Sequence, residues 1–109
     1  MSLEKYDATI QACLSCAMHC ERCTSECLLE KNFEKIKRCV ELTRDCSAIC
    51  ILTARFLSGE SDFVPQMCNL CLEVCEACAA ECAKNYLDTC AEACQKCADE
   101  CRMLSLQFT

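Results

Sequence analysis

CLSCAMHCERCTSEC, residues 13–27, carries five cysteines spaced three, four, three and four residues apart. That spacing keeps every thiol on one face of a 3.6-residue helix, the face that normally holds leucine or isoleucine. The ladder then returns twice. CNLCLEVCEACAAEC, residues 68–82, places Cys68, Cys71, Cys75, Cys78 and Cys82 in the same phase, and CAEACQKCADEC, residues 90–101, places Cys90, Cys94, Cys97 and Cys101.

Working outward from these runs, four helical segments can be read. The first is expected from about Leu3 to Leu29 with Ser2 as N-cap. The second runs from Phe33 or Glu34 to Ser58, with Gly59 as the residue after its end. The third starts near Pro65, a residue suited to a first helical position, and fades around Asn85. The fourth runs from about Leu87 to Leu106, with Asn85 or Asp88 as candidate caps. Short connectors at 30–32 and 84–86, and a longer one at 59–64, make the helices antiparallel neighbours. The expected fold is therefore all-α, an up-down-up-down four-helix bundle with a cysteine-lined core. The third and fourth segments resemble an internal duplication. The second differs: its inward line reads Ile36, Cys39, Thr43, Cys46, Cys50, Thr53, Leu57, so threonines interrupt the ladder. Leu42, Ile49 and Phe56 form a second stripe beside it, to be covered by a neighbouring helix or by another subunit.

Composition agrees. The 109 residues make one small domain, and they include seventeen cysteines but a single Gly and a single Pro. So few turn residues argue against a loop-rich disulfide scaffold. An odd cysteine count forbids complete internal pairing, and helical i, i+4 thiols are poorly aimed for a disulfide. The N-terminus shows no secretory signal, so a cytoplasmic location with reduced thiols is expected. The net charge of -6 includes no basic run, which disfavours nucleic acid and anionic membranes as partners. No stretch is long and apolar enough for a membrane span. Charge runs such as Glu30/Glu34 with Lys31/Lys35 read as solvated helix faces.

Packing alone does not explain the ladder. Cysteine behaves as a small hydrophobe, and a core truncated from leucine size forfeits about 2–5 kcal/mol per residue where it cannot collapse. Here the apolar residues in core phase, Ile36, Leu57, Leu87 and Leu104, sit only at the ends of the bundle. The channel is built to bind something. Thiolates are soft ligands, which brings Zn(II), iron–sulfur clusters and Cu(I) into consideration. Iron–sulfur and zinc motifs place C-x2-C in loops or turns, with clusters also using Cys-Pro, and this chain has neither feature. A four-thiolate zinc site carries two surplus negative charges, and several such sites would be severely penalised inside a protein. One Cu(I) per thiolate leaves the core neutral. The i, i+4 pairs Cys16/Cys20, Cys23/Cys27, Cys46/Cys50, Cys71/Cys75, Cys78/Cys82, Cys90/Cys94 and Cys97/Cys101 could each clamp an ion. From Cys13 to Cys27 such a channel is ~21 Å long at ~1.5 Å per residue.

The runs CLEVCEACAAEC and CAEACQKCADEC resemble those of the bacterial Cys-rich four-helix-bundle copper storage proteins, and the resemblance extends from Cys13 to Cys101. It implies an oligomer of bundles, a tetramer, each filled with about as many Cu(I) ions as it has cysteines. With no secretory signal visible, the chain resembles the cytosolic branch of that family. The expected function is high-capacity Cu(I) storage, with no enzyme constellation present. A copper chaperone, or a zinc or iron–sulfur redox protein, is the alternative. Copper is expected to enter at the end holding Cys13, Cys50, Cys68 and Cys101, where Met67 and Met103 could act as transient ligands. The opposite end, with Cys27, Cys39, Cys82 and Cys90, is expected to be closed by short connectors. His19 stands beside Cys20 at a flank position and reads as a surface residue or a ligand.

Overall fold

A computed structural model describes residues 4–108. Its elements are α1 (Asp7–Cys27), α2 (Phe33–Ser58), α3 (Val64–Lys84) and α4 (Asp88–Leu106). Each packs beside two others, α1 against α2 and α4, and α3 against α2 and α4, which closes a four-helix bundle. The bundle is slender, 49 × 21 × 19 Å. Its inward positions are cysteine, alanine and threonine, so the helices approach closely. Buried Ala12, Ala17, Ala54, Ala79 and Ala98 contribute to the same small-residue packing.

The hydrophobes in the phase of the ladder lie at the ends, as expected. Leu57, Val64, Leu104 and Tyr6 are buried where α1 and α3 begin and α2 and α4 finish. Ile36 is buried at the other end, with Leu87 packed partly against the core. Within α2, Leu42 is buried and Ile49 and Phe56 pack against the core. The second stripe of α2 is therefore covered inside the bundle rather than offered whole to another subunit.

Helix ends depart from the sequence reading in two ways. The first helix begins at Asp7, after a short turn at residues 4–6, rather than at Leu3, and the expected Ser2 cap lies outside the described residues. None of the four helices has a side-chain N-cap hydrogen bond. Asn85 instead turns its amide back to the Glu81 carbonyl, 2.9 Å away, and Asp88 sits within the first turn of α4. At the C-termini of α2 and α3 the left-handed residues are not glycines. Gly59 keeps φ −88°, and Glu60 takes the left-handed place with φ 50°, as Tyr86 does after α3 with φ 60°. The pairs Ser61 N–H to Phe56 O and Glu60 N–H to Leu57 O close one Schellman motif, and Leu87 N–H to Cys82 O with Tyr86 N–H to Ala83 O close the other. These tight endings reverse the chain within a few residues and bring α4 back alongside α3.

Candidate metal centre

All seventeen cysteines are buried and free of disulfides. Fourteen of them are at 0% exposure. Along the axis the sulfurs form a nearly continuous file. Near the Leu57 end, Cys13, Cys71, Cys97 and Cys101 have sulfurs within 4.8 Å of one another, and Cys68 is fully buried beside them, with Cys101 holding its thiol below the usual range. Cys50 lies one layer further in than expected, 3.9 Å from Cys71, 3.6 Å from Cys75 and 3.8 Å from Cys97. In the middle, Cys46 is 3.6 Å from both Cys16 and Cys75, and Cys94 is 3.6 Å from both Cys16 and Cys20. Cys90 carries the file onward, 3.9 Å from Cys20. Towards the Ile36 end, Cys39 is 3.7 Å from Cys82, Cys78 is 4.0 Å from Cys82, and Cys23, Cys27 and Cys39 form a further set. Each i, i+4 pair named from the sequence has its two sulfurs within 4.8 Å.

These spacings are the ones a metal needs. With a zinc–thiolate bond of about 2.3 Å as a guide, three sulfurs around one ion stand about 4 Å apart. The sulfur sets also overlap: Cys16 and Cys46 belong to two sets of four, as do Cys50 and Cys75. Such shared sulfurs suit a soft monovalent ion bridged from site to site.

The polar remainder of the core is satisfied. Thr43 and Thr53 occupy ladder positions but point their hydroxyls away from the sulfurs. Thr43 Oγ1 is 2.7 Å from Thr24 Oγ1, Thr24 donates to the Cys20 carbonyl, and Thr53 donates to the Ile49 carbonyl. Ser47 donates to Glu21 at 2.7 Å. Among the described residues no buried side-chain nitrogen or oxygen lacks a partner. The unused ligand capacity of the core is sulfur.

Protonation follows from crowding. Burial pushes the Cys27 thiol up to about 11, with Cys39 and Cys90 adding to the rise. Hydrogen bonds with Cys23 and Cys82 hold Cys39 down at about 3. The same division recurs along the file: hydrogen bonds with Cys20 and Cys23 lower Cys90, while those with Cys16 and Cys20 raise Cys94. One thiolate accepts from its neighbours, and its charge keeps their protons on. Full deprotonation needs cations threaded among the sulfurs.

The family description "Csp: Copper storage protein" matches residues 2–106. The chain belongs to the copper storage protein family. The Cu(I)-bound copper storage protein BsCsp3 is similar in structure, with TM-score 0.87 and 36% identity over 92% of this chain and 97% of that one. A cytosolic copper storage protein from Streptomyces lividans, solved with five coppers, gives TM-score 0.90 and 31% identity over 96% of this chain and 95% of that one. The cysteine-rich protein YhjQ of Bacillus subtilis is 37% identical over 84 residues, 76% of this chain and 78% of its own length.

At the end that holds Met67 and Met103, Tyr6, Leu57, Val64 and Leu104 are buried, and the nearby Cys13, Cys68 and Cys101 are at 0% exposure. Met103 is exposed and Met67 half-buried, and neither joins the buried core. The thiols with measurable exposure are at the opposite end: Cys23 at 3%, and Cys27 and Cys90 at 5% each. At that end the left-handed turn at Tyr86 leaves its side chain 86% exposed.

Proposed function

We propose that this chain is a Cu(I) store in which all seventeen thiols, Cys13, Cys16, Cys20, Cys23, Cys27, Cys39, Cys46, Cys50, Cys68, Cys71, Cys75, Cys78, Cys82, Cys90, Cys94, Cys97 and Cys101, act as thiolate ligands. The observation that carries this reading is the overlapping file of buried sulfurs, whose neighbouring spacings of 3.6–4.0 Å suit metal–thiolate geometry. A chaperone would need one exposed, exchangeable site, and these thiols are nearly all at 0% exposure. An enzyme would need one distinctive group, and the sulfurs repeat one environment along the bundle. Each bound ion replaces a thiol proton, so the loaded core is close to neutral and escapes the desolvation penalty of a bare thiolate cluster.

The whole chain acts as one storage unit. Its location is the cytoplasm, consistent with the reduced thiols that Cu(I) binding requires. Copies associate: Leu14 and Met18 on α1 and Ile51 on α2 are large, exposed apolar side chains that a second copy would cover. Among the described residues no helix is long and apolar enough to cross a membrane. The test is an anaerobic titration of fully reduced protein with Cu(I) against a competing chelator. The store binds well over ten ions per chain; saturation at one or two would point to a chaperone.

A further inference from the structure

Three of the four helices carry their thiols without a break, every step being three or four residues. On α2 the step from Cys39 to Cys46 is seven residues, because Thr43 stands at the ladder position between them. At ~1.5 Å per residue that step is about 10 Å along the axis, whereas an ion with bonds of about 2.3 Å joins sulfurs less than about 5 Å apart. Thr43 is fully buried, and its hydroxyl is committed. Thr24 donates its proton to the Cys20 carbonyl at 2.9 Å, so in the 2.7 Å contact between the two hydroxyls Thr43 donates and Thr24 accepts. This pair ties α2 to α1 and turns the Thr43 hydroxyl from the sulfurs. A neutral hydroxyl is also a hard donor, a poor substitute for sulfur toward Cu(I). The sulfur contacts divide at the same level. Cys39 is 3.7 Å from Cys82, Cys82 is 4.0 Å from Cys78, and Cys23 and Cys27 complete this group around Cys39. On the other side of Thr43, contacts of 3.6–4.0 Å join Cys20, Cys46, Cys90 and Cys94 and lead on to the remaining thiols. Cys78 and Cys90, on the packed helices α3 and α4, face each other across the boundary: Cys90 is held low by Cys20 on its own side and by Cys23, Cys78 and Cys82 on the other.

We propose that the Thr24–Thr43 pair divides the store into two copper pools, one on the five thiols Cys23, Cys27, Cys39, Cys78 and Cys82 and one on the other twelve of the seventeen, with exchange between them confined to Cys78 and Cys90. The proposal rests on the storage reading. Within each pool an ion moves by trading one sulfur at a time among near neighbours. At the boundary α2 supplies no sulfur, so the crossing ion finds fewer ligands and the step is slow. Copper stays Cu(I) in the crossing. The sulfur that gains the ion gives up a proton and the sulfur that loses it takes one up, so charge and protons balance.

The test follows the release of Cu(I) from the fully loaded full chain to an excess of chromogenic chelator under anaerobic conditions. Release occurs in two phases, with amplitudes in the proportion of the five and twelve thiols. Thr43→Cys fills the gap with sulfur, and the slow phase accelerates by about 10-fold, the size of effect that one metal-site partner typically has. Thr43→Val removes the hydroxyl but adds no sulfur, and Thr53→Cys adds a sulfur away from the boundary; both keep two phases. Cys78→Ser leaves the threonine pair in place and slows the slow phase, which decides the matter if Thr43→Cys does not fold. A single phase in the wild type, a slow phase unaltered in both Thr43→Cys and Cys78→Ser, or merged phases in Thr43→Val or Thr53→Cys would overturn the partition and leave storage standing. A wild-type capacity of one or two ions would refute storage itself, and the partition with it.

Discussion

Thr43 occupies a position in the phase of the sulfur ladder between Cys39 and Cys46, fully buried at 0% exposure. Replacing it with cysteine tests whether ladder phase, rather than cysteine content, sets capacity. The substitution removes the 2.7 Å hydroxyl pair with Thr24 and one buried methyl group. The hydrogen bond contributes about 1 kcal/mol, and the methyl about 0.8 kcal/mol. Thr24 is not orphaned, because its hydroxyl still donates to the Cys20 carbonyl at 2.9 Å. Metal-free Thr43→Cys should therefore be less stable by about 2 kcal/mol, and for a domain of this size each kcal/mol lowers Tm by about 4–8 °C. At the same time the new sulfur joins the file, and capacity rises by one Cu(I). Thermal unfolding of the metal-free protein and a Cu(I) titration read the two effects separately. Unchanged capacity with the thiol shown to be reduced would refute the claim that a sulfur in ladder phase becomes a ligand. Unchanged stability would refute the role given to the Thr24–Thr43 pair.

Three further outcomes are expected. Cys46→Ser, which removes a sulfur within 4.0 Å of Cys16, Cys50, Cys75 and Cys94, should lower capacity by one to two ions, whereas Cys27→Ser at the end of the file loses one at most; metal analysis of the isolated complexes separates them. Loading should stabilise the fold by about 4 kcal/mol for each site held at about 1,000 times its dissociation constant, and equal melting temperatures for metal-free and loaded protein would contradict this. Because Cys27 keeps its proton up to about 11, Cu(I) must displace that proton at neutral pH. Its affinity therefore falls as pH falls, by up to about tenfold per unit for each proton displaced, and competition titrations at two pH values check the sign.

Much of this was legible in the sequence because one signal dominates it. Thiols at three- and four-residue spacing could be buried together only on helices, and the short connectors left antiparallel packing as the natural solution. The limits of α2 (Phe33–Ser58) and the end of α4 at Leu106 follow from the same periodicity. What the pattern did not carry is local backbone chemistry and closure. Glycine is the usual left-handed residue, so Gly59 drew attention away from Glu60 and Tyr86, where tertiary packing imposes that conformation. Thr24 lies outside the ladder and gave no sign that it would hold Thr43. The accessible end depends on how four helix ends meet: hydrophobes from four separate segments converge on one mouth, while the Tyr86 turn leaves a cleft at the other.

The most direct test is the anomalous copper signal from a crystal of the protein loaded with Cu(I) under anaerobic conditions. The account predicts a file of more than ten ions along the bundle axis, each within bonding distance of two or three of the cysteine sulfurs from Cys13 to Cys101. One or two ions confined to the surface, with an empty axis and reduced thiols, would contradict it.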